Sequence, residues 1–193
     1  LKFLGQAGFL YETNNEILLM DPWMSREGAF DSSWYQFPSN HNLGDQLRED
    51  IESSKKDIYI YISHEHKDHF DVPYLKTLDL SKINFITPKF RRDHVASVLS
   101  KLNPKSVTTP IDSEVLNIGN MEIRLFLDDQ EIVRDSALGL IDKEKDFTFL
   151  NLNDCKVYDR VDELKDIYKK FDAFTCQFSG AVFHPVCYDL SLI

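Results

Sequence analysis

Three histidines and an aspartate lie within six consecutive positions of the chain: His64, His66, Asp68 and His69. Side chains two residues apart on extended backbone point to the same side, so the imidazoles of His64 and His66 can bind one metal ion together. The chain then turns toward a helix, which lets Asp68 and His69 reach a second ion nearby. Two adjacent cations can hold a hydroxide as the nucleophile and stabilise an oxyanion. The pattern therefore predicts a two-metal site.

Chance explains this pattern poorly. The chain has six histidines among 193 residues, which makes an accidental H-x-H-x-D-H about a one-in-two-thousand event. The alternative is a polar turn with solvated histidines. However, the run Ile58–Ile62 in front of the motif is β-branched and aromatic throughout, as in a strand buried on both faces. A buried strand that leads into the motif favours the metal site.

The rest of the chain alternates between strand and helix patterns. Further strands are predicted at residues 1–4, 9–11, 17–20, 84–87, 121–125, 137–141 and 147–152. Helices are predicted after Asp71, which can cap one with Pro73 in its first turn, at residues 91–102, and along the apolar stripe from Val161 to Phe171. Residues 23–50 show no clear period and are interpreted as a long loop. Strand runs interrupted by helices predict two sheets in the middle with helices outside.

Composition and charge exclude several classes of protein. Hydrophobic residues at 42% and charged residues at 28% are typical of a globular protein, and no apolar run reaches the ~20 residues of a membrane span. The formal charge of −10 disfavours nucleic acid as a partner, because phosphate contacts dominate that affinity. Three cysteines without a C-x-x-C pair predict a reduced, cytoplasmic protein.

The strand followed by His64-x-His66-x-Asp68-His69 resembles the signature of the metallo-β-lactamase fold. This resemblance implies an α/β, αββα sandwich of two mixed sheets flanked by helices. The segments Phe3–Gly8 and Met20–Trp23 are similar to the opening of the branch that contains ascorbate-lactone hydrolases, N-acylphosphatidylethanolamine phosphodiesterase and CMP-N-acetylneuraminate hydroxylase. Three more segments look most like the last of these: residues 135–136, 149–155 and 177–181. We expect one such domain over residues 1–193, incomplete at one or both ends.

The resemblance also implies a set of metal ligands. His64 and His66 would bind the first ion, and Asp68 and His69 the second. Asp154, at the end of a predicted strand, would bridge the two ions. A carboxylate there is reasonable, because two neighbouring cations need anionic ligands to offset their repulsion. Asp68 is also the predicted catalytic residue.

The chain departs from the family pattern at two ligands. The family supplies a further histidine before the bridging aspartate, but only His94 lies in that interval, and it is interpreted as structural because it stands beside the apolar stripe of a helix. Glu131 or Asp135 could replace the missing imidazole, and oxygen ligands would favour manganese or iron. Alternatively, the first ion site is weakened or lost. His184 is a candidate for the last metal ligand of the family. The favoured explanation for the absence of that ligand is that the sequence stops before it.

These features predict a metal-dependent hydrolase that holds two divalent ions, with zinc favoured over manganese or iron. A metal-bound hydroxide would attack an ester, lactone, amide or phosphoester. The first alternative is an iron-dependent hydroxylase that acts on an amino sugar or a nucleotide sugar and receives electrons from a partner. The second is a non-catalytic descendant with an incomplete metal site. The expected partner is a small molecule, and a sugar derivative fits the resemblance best.

Overall fold

Strands β1 to β6 form the first of two sheets in a computed structural model that describes residues 1–130 and 134–177. The six strands stand in chain order: β1 (Lys2–Gly5), β2 (Gly8–Glu12), β3 (Glu16–Met20), β4 (Asp57–Tyr61), β5 (Ile83–Ile86) and β6 (Ser106–Thr108). The first three pair antiparallel. From β3 to β6 the pairing is parallel, so that the carboxyl ends of four strands meet at one edge of the sheet.

The second sheet is mostly antiparallel. Its five strands are β7 (Val115–Ile118), β8 (Met121–Asp129), β9 (Arg134–Asp142), β10 (Phe147–Asn151) and β11 (Ala173–Thr175), in the order β11-β10-β9-β8-β7. Only the pair formed by β10 and β11 is parallel among these strands. The predicted hairpin of β9 and β10 is confirmed.

Three apolar layers hold the αββα sandwich together. One lies between the two sheets, and the other two lie between each sheet and its helices. The central layer joins Leu18 and Met20 of β3 to Leu138 of β9 and Phe149 of β10. Outside the first sheet pack α1 (His41–Ser53), α2 (Val72–Leu75) and α3 (His94–Lys101), and outside the second packs α4 (Val161–Ile167). This arrangement confirms the predicted fold class of two mixed sheets flanked by helices.

Strand β4 is buried on both faces, as predicted from its composition. Ile58 and Ile60 pack toward the helices, whereas Tyr61 lies between the sheets. The Tyr61 hydroxyl lies 2.6 Å from Ser136 Oγ on β9 and donates a hydrogen bond to the Ser136 carbonyl oxygen at 3.0 Å. This polar contact joins the two sheets directly beneath the histidine-rich loop that follows β4.

The interpretation of residues 23–50 as one long loop is wrong from His41 onward, because α1 begins there. Its buried positions are Gly44, Leu47 and Ile51. Only two of these three buried positions are large apolar residues, so the helical pattern of hydrophobicity in the sequence is weak. This explains the error. The cap at Asp71 is confirmed, since its side chain accepts a hydrogen bond from the Tyr74 amide at 3.1 Å. Among the described residues, none of the helices has the length and apolar character that a bilayer span requires.

Candidate metal centre

The histidine-rich loop after β4 meets the end of β10 at the rim between the two sheets. His64 and His69, both essentially inaccessible to solvent, come from the loop, and the half-buried Asp154 follows β10. Each of these three side chains offers one ligand atom, and the three atoms lie within 4.8 Å of one another. Residues 85 to 90 positions apart therefore converge on one point, as a metal site requires.

Asp154 lies between the two buried imidazoles. Its Oδ2 is 3.9 Å from His64 Nε2 and 3.6 Å from His69 Nε2. Asp68 approaches from another side, with Oδ2 at 3.6 Å from His69 Nε2. Within the described chain, His69 Nε2 and Asp68 Oδ1 are buried and have no hydrogen-bond partner. Buried polar atoms normally have a partner, so a cation at this point would fit the donor set.

His66 lies at the outer, solvent-exposed side of the cluster. Its Nδ1 is 2.9 Å from His64 Nε2, and the two ring centroids are 4.5 Å apart. The two imidazoles therefore place ring nitrogens close together, although the chain bends at His64 and Glu65 instead of continuing as the extended backbone on which the prediction relied. The residues named from the motif thus lie together, and their assignment as metal ligands stays a prediction.

Asp21, which the sequence reasoning did not single out, positions His69 from behind. Its Oδ2 is 2.8 Å from His69 Nδ1, and its Oδ1 accepts a hydrogen bond from the Ser63 amide at 2.8 Å. Asp21 is completely buried, between β3 and Pro22, with a positive φ of 41°. The signal available in the sequence was an aspartate directly after the apolar run Ile17–Met20.

Asp135 on β9 also lies behind His64, although the hydrogen-bond partner of His64 Nδ1 is Ser63 Oγ at 3.0 Å. Its Oδ1 is 3.4 Å from His64 Nδ1, on the opposite side of the ring from the Nε2 that faces the cluster. Burial, assisted by the negative charge of Asp154, raises the pKa of Asp135 to about 6. The geometry suits a carboxylate that orients a metal-binding histidine. As a direct ligand, Asp135 stays a prediction.

The electrostatics favour a positive charge beside His69. Burial lowers the pKa of His64, and the neighbouring His69 and His66 lower it further, so its imidazole is neutral, as metal ligation requires. Burial would also lower the pKa of His69, but the nearby carboxylates of Asp154, Asp21 and Asp68 outweigh it and raise the pKa. Carboxylates that stabilise a proton there would also stabilise a cation.

The cluster opens into a cavity of about 720 Å³, which Asp68 and Asp154 line. Aromatic side chains form much of its wall, and two buried asparagines lie near its base: Phe3, Phe9, Trp34, Phe174, Asn151 and Asn153. Gln6 Nε2 donates a hydrogen bond to Asp68 Oδ2 at 3.2 Å. The candidate centre is therefore accessible to a small molecule with both apolar and polar parts.

The remaining candidates lie elsewhere. Glu131 and His184 fall outside the described residues, so their assignment as ligands stays a prediction. His94 is the first residue of α3 and lines a different cavity. Burial raises the pKa of the Cys155 thiol to about 12, which fits the structural role expected of this cysteine.

Three comparisons relate this chain to known proteins. A family model described as "Beta-lactamase superfamily domain" matches residues 1–153. Over 97% of its length the chain is 31% identical to a protein of Mycobacterium tuberculosis and 29% identical to one of Mycolicibacterium smegmatis, each named a "Putative Rieske 2Fe-2S iron-sulfur protein". The chain spans about a third of the length of these relatives, 36% and 35% respectively.

The fold is also similar to that of a solved structure, CmlA, described as a diiron beta-hydroxylase from Streptomyces venezuelae. The match has a TM-score of 0.61 at 15% identity and covers 89% of this chain and 33% of CmlA. At this identity the likeness shows a shared fold only, and it agrees with the two-sheet topology described above.

Proposed function

The chain belongs to the beta-lactamase superfamily domain family, and on that premise we propose that it is a metal-dependent hydrolase. In this proposal His64 and His66 hold one divalent ion, Asp68 and His69 hold a second, and Asp154 lies between the two. The substrate is a small molecule with an ester, lactone, amide or phosphoester bond. Zinc is the favoured metal, with manganese or iron as alternatives.

One observation carries this proposal. The ligand atoms of His64, His69 and Asp154 lie within 4.8 Å of one another, and the buried Nε2 of His69 has no partner within the described chain. A buried imidazole nitrogen without a partner carries a desolvation cost of about 1–3 kcal/mol. A cation bound at that point would remove this cost and would be held by the surrounding carboxylates.

In this proposal, the residues around the site have different roles according to where they lie. Asp21 orients the imidazole of His69 through its Nδ1 atom. Ser63 Oγ hydrogen-bonds to His64 Nδ1, and Asp135 lies next to the same atom. Asp154 and Asp68 supply negative charge. Asp68 is proposed as the catalytic residue because it lines the cavity and its Oδ1 has no hydrogen-bond partner among the described residues. A divalent cation bound there would supply a Lewis acid that polarises a carbonyl or phosphoryl oxygen and makes water more acidic.

A second candidate function is a hydroxylase that receives electrons from an iron–sulfur partner. The names of the mycobacterial relatives support it. A Rieske cluster needs paired cysteine and histidine ligands, and none of Cys155, Cys176 and Cys187 has a histidine two residues on. In this alternative the cluster is held by residues outside the sequence, and the substrate is an amino sugar or a nucleotide sugar.

A reducing, cytoplasmic setting is part of the proposal. The sparse cysteines support it, as does the observation that Cys155 and Cys176 form no disulfide within the part of the chain that the structure describes. Reduced thiols are the rule in the cytosol.

Elemental analysis of the purified protein tests the proposal, with His66→Ala as the variant and His94→Ala as the matched control. We expect about two zinc or manganese ions per chain, reduced by His66→Ala and unchanged by His94→Ala, together with turnover of generic esters or phosphodiesters without a reductant. Bound iron with activity that depends on oxygen and a reductant would support the hydroxylase instead. A metal content no higher than background would contradict both functions and favour a binding module.

A further inference from the structure

The turn between β1 and β2 places Gln6 against Asp68, although the two residues are 62 positions apart. Gln6 Nε2 donates a hydrogen bond to Asp68 Oδ2 at 3.2 Å. Both residues line the cavity of about 720 Å³ beside the candidate metal centre. Gln6 is exposed, whereas Asp68 is only 3% exposed. The hydrogen bond therefore connects an exposed side chain to a buried carboxylate of the site.

The pairing of the first three strands explains how Gln6 reaches the site. Gln6 and Ala7 alone connect β1 to β2 in a two-residue turn. Strand β2 runs antiparallel to β3, with Phe9 opposite Met20. The turn therefore lies at the same edge of the sheet as the carboxyl ends of β3 and β4. The loop that carries Asp68 follows β4 at this edge, so the glutamine side chain can reach it.

The backbone of Gln6 has a conformation that glutamine rarely adopts. Its φ is +50°, in the left-handed region where tight turns favour glycine, asparagine or aspartate. Strain of this kind persists where the surrounding structure compensates for it, and it is common at functional sites. Within the described chain, the Gln6 side chain makes its hydrogen bond to Asp68. The contact with Asp68 therefore explains a glutamine at this position better than the needs of the turn do.

Among the described residues, Gln6 is also the one hydrogen-bond donor to the Asp68 carboxylate. Asp68 Oδ2, which accepts this bond, lies 3.6 Å from His69 Nε2. Asp68 Oδ1 is buried and has no partner within the described chain. The glutamine thus selects which of the two oxygens faces His69. This relationship resembles that of Asp21 to His69, in which a neighbouring side chain orients a proposed ligand.

We infer that Gln6 is a positioning residue that holds the Asp68 carboxylate toward His69 and so prepares it to bind a metal ion. The hydrogen bond restricts rotation of the carboxylate. Because the glutamine amide is neutral, it does so without a positive charge that would repel a cation, as a lysine or an arginine in its place would. This inference rests on the proposed function, because it assigns a positioning partner to the residue proposed there as a metal ligand and as the catalytic residue.

The zinc affinity of Gln6→Met, measured by competition with a chromophoric chelator, tests the inference. Methionine has nearly the length and volume of glutamine but cannot donate the hydrogen bond. We expect the affinity for zinc to be about tenfold lower than in the wild-type protein, as when a group that orients a metal ligand is removed. Gln46→Met is the matched control, because Gln46 Nε2 also donates to an aspartate, Asp50, at 3.0 Å on α1. Equal zinc affinity of the two variants would overturn the inference.

Gln6→Gly separates a positioning role from a merely structural one. Glycine removes the side chain but adopts a positive φ without strain. We therefore expect the chelator-treated Gln6→Gly protein to unfold in urea at a concentration no lower than that for Gln6→Met, although its zinc affinity is also about tenfold below that of the wild-type protein. A Gln6→Gly protein that binds zinc as tightly as the wild-type protein would contradict the positioning role.

A measurement without metal distinguishes failure of this inference from failure of the proposed function. In chelator-treated protein, the carboxyl carbon resonance of Asp68 in nuclear magnetic resonance spectra should shift in Gln6→Met and stay unchanged in Gln46→Met. A wild-type protein that binds no zinc above background, together with this shift in Gln6→Met, would sink the proposed function alone. A wild-type protein that binds zinc, together with an unchanged Asp68 resonance in Gln6→Met, would sink this inference alone.

Discussion

Asp21 Oδ2 and His69 Nδ1 lie 2.8 Å apart in a completely buried contact between the end of β3 and the loop after β4. The contact requires a proton on Nδ1, so that Nε2 is the atom left to face Asp68 and Asp154. The same aspartate accepts a hydrogen bond from the Ser63 amide, at the beginning of the loop. One carboxylate thus determines both the course of the loop and the orientation of a proposed ligand.

Asp21→Asn should lower the affinity for zinc by roughly 10- to 100-fold, because the neutral amide neither orients His69 nor increases its basicity as well. Competition with a chromophoric chelator measures this affinity. Asp142→Asn is the matched control, since Asp142 is also buried and hydrogen-bonded but lies at the far end of β9. An Asp21→Asn protein that is folded and binds zinc as tightly as the control would contradict the positioning role.

The sequence predicted the parts of the fold that depend on local pattern. The apolar run before His64 predicted a central strand, and the charged turn between residues 141 and 147 predicted the hairpin of β9 and β10. Helix α1 was missed because Gly44 interrupts its apolar face, which packs against Met24. The stability of α1 comes from tertiary contact rather than from local propensity, so its period in the sequence is faint.

The site could be predicted only where its residues are neighbours in the chain. His64 and His66 are two residues apart, so their proximity could be expected from the sequence. The contacts of Asp21 with His69 and of Asp135 with His64 join residues 48 and 71 positions apart. No local pattern encodes such contacts, because they depend on how two sheets pack. Asp154 was identified through family resemblance rather than spacing for the same reason.

Tyr61→Phe should lower the free energy of unfolding by about 1–3 kcal/mol, because it leaves a buried hydrogen-bond network incomplete. The Tyr61 hydroxyl contacts both Ser136 Oγ and the Ser136 carbonyl oxygen. Urea unfolding in the presence of a chelator isolates this effect from metal binding. The half-buried Tyr59 lies on the same strand, and Tyr59→Phe as the matched control should change the value by less than about 0.5 kcal/mol. Equal effects of the two variants would contradict the role of Tyr61 between the sheets.

The ion pair between Glu65 and Arg134 should stabilise the histidine-rich loop by about 1 kcal/mol in a double-mutant cycle. Arg134 Nη2 donates to Glu65 Oε1, and the two side chains are 17% and 31% exposed. The pair connects the start of β9, which carries Asp135, to the loop that carries His64 and His66. Alanine variants and their urea unfolding measure the coupling. The pair of Lys105 and Asp57, 48% and 59% exposed, is the control and should give a value near zero, and a similar value for both pairs would refute the prediction.

Asp142 should make the stability of the fold depend on pH in the acidic range. Burial would raise its pKa, but the hydrogen bond from the Tyr11 hydroxyl at 2.7 Å and those from the amides of Glu144 and Lys145 outweigh burial and lower the pKa. The folded state therefore favours the carboxylate more than the unfolded state does. Its contribution to stability is complete above the ordinary pKa of about 4 for an aspartate and is lost as the pH falls through the lower, folded value.

Asp142→Asn should therefore destabilise the protein at pH 7 by about 1–3 kcal/mol and should matter less at pH 3, which lies below the ordinary aspartate pKa of about 4. Urea unfolding at the two pH values measures the difference. Asp146→Asn is the control, because Asp146 lies in the same turn with its side chain exposed beside Lys170. The control tests whether removal of any negative charge from this turn destabilises the protein to the same extent. An equal effect of Asp142→Asn at both pH values would contradict the prediction, and so would an Asp146→Asn variant that reproduces the effect. In either case the lowered pKa of Asp142 does not cause the pH dependence of stability.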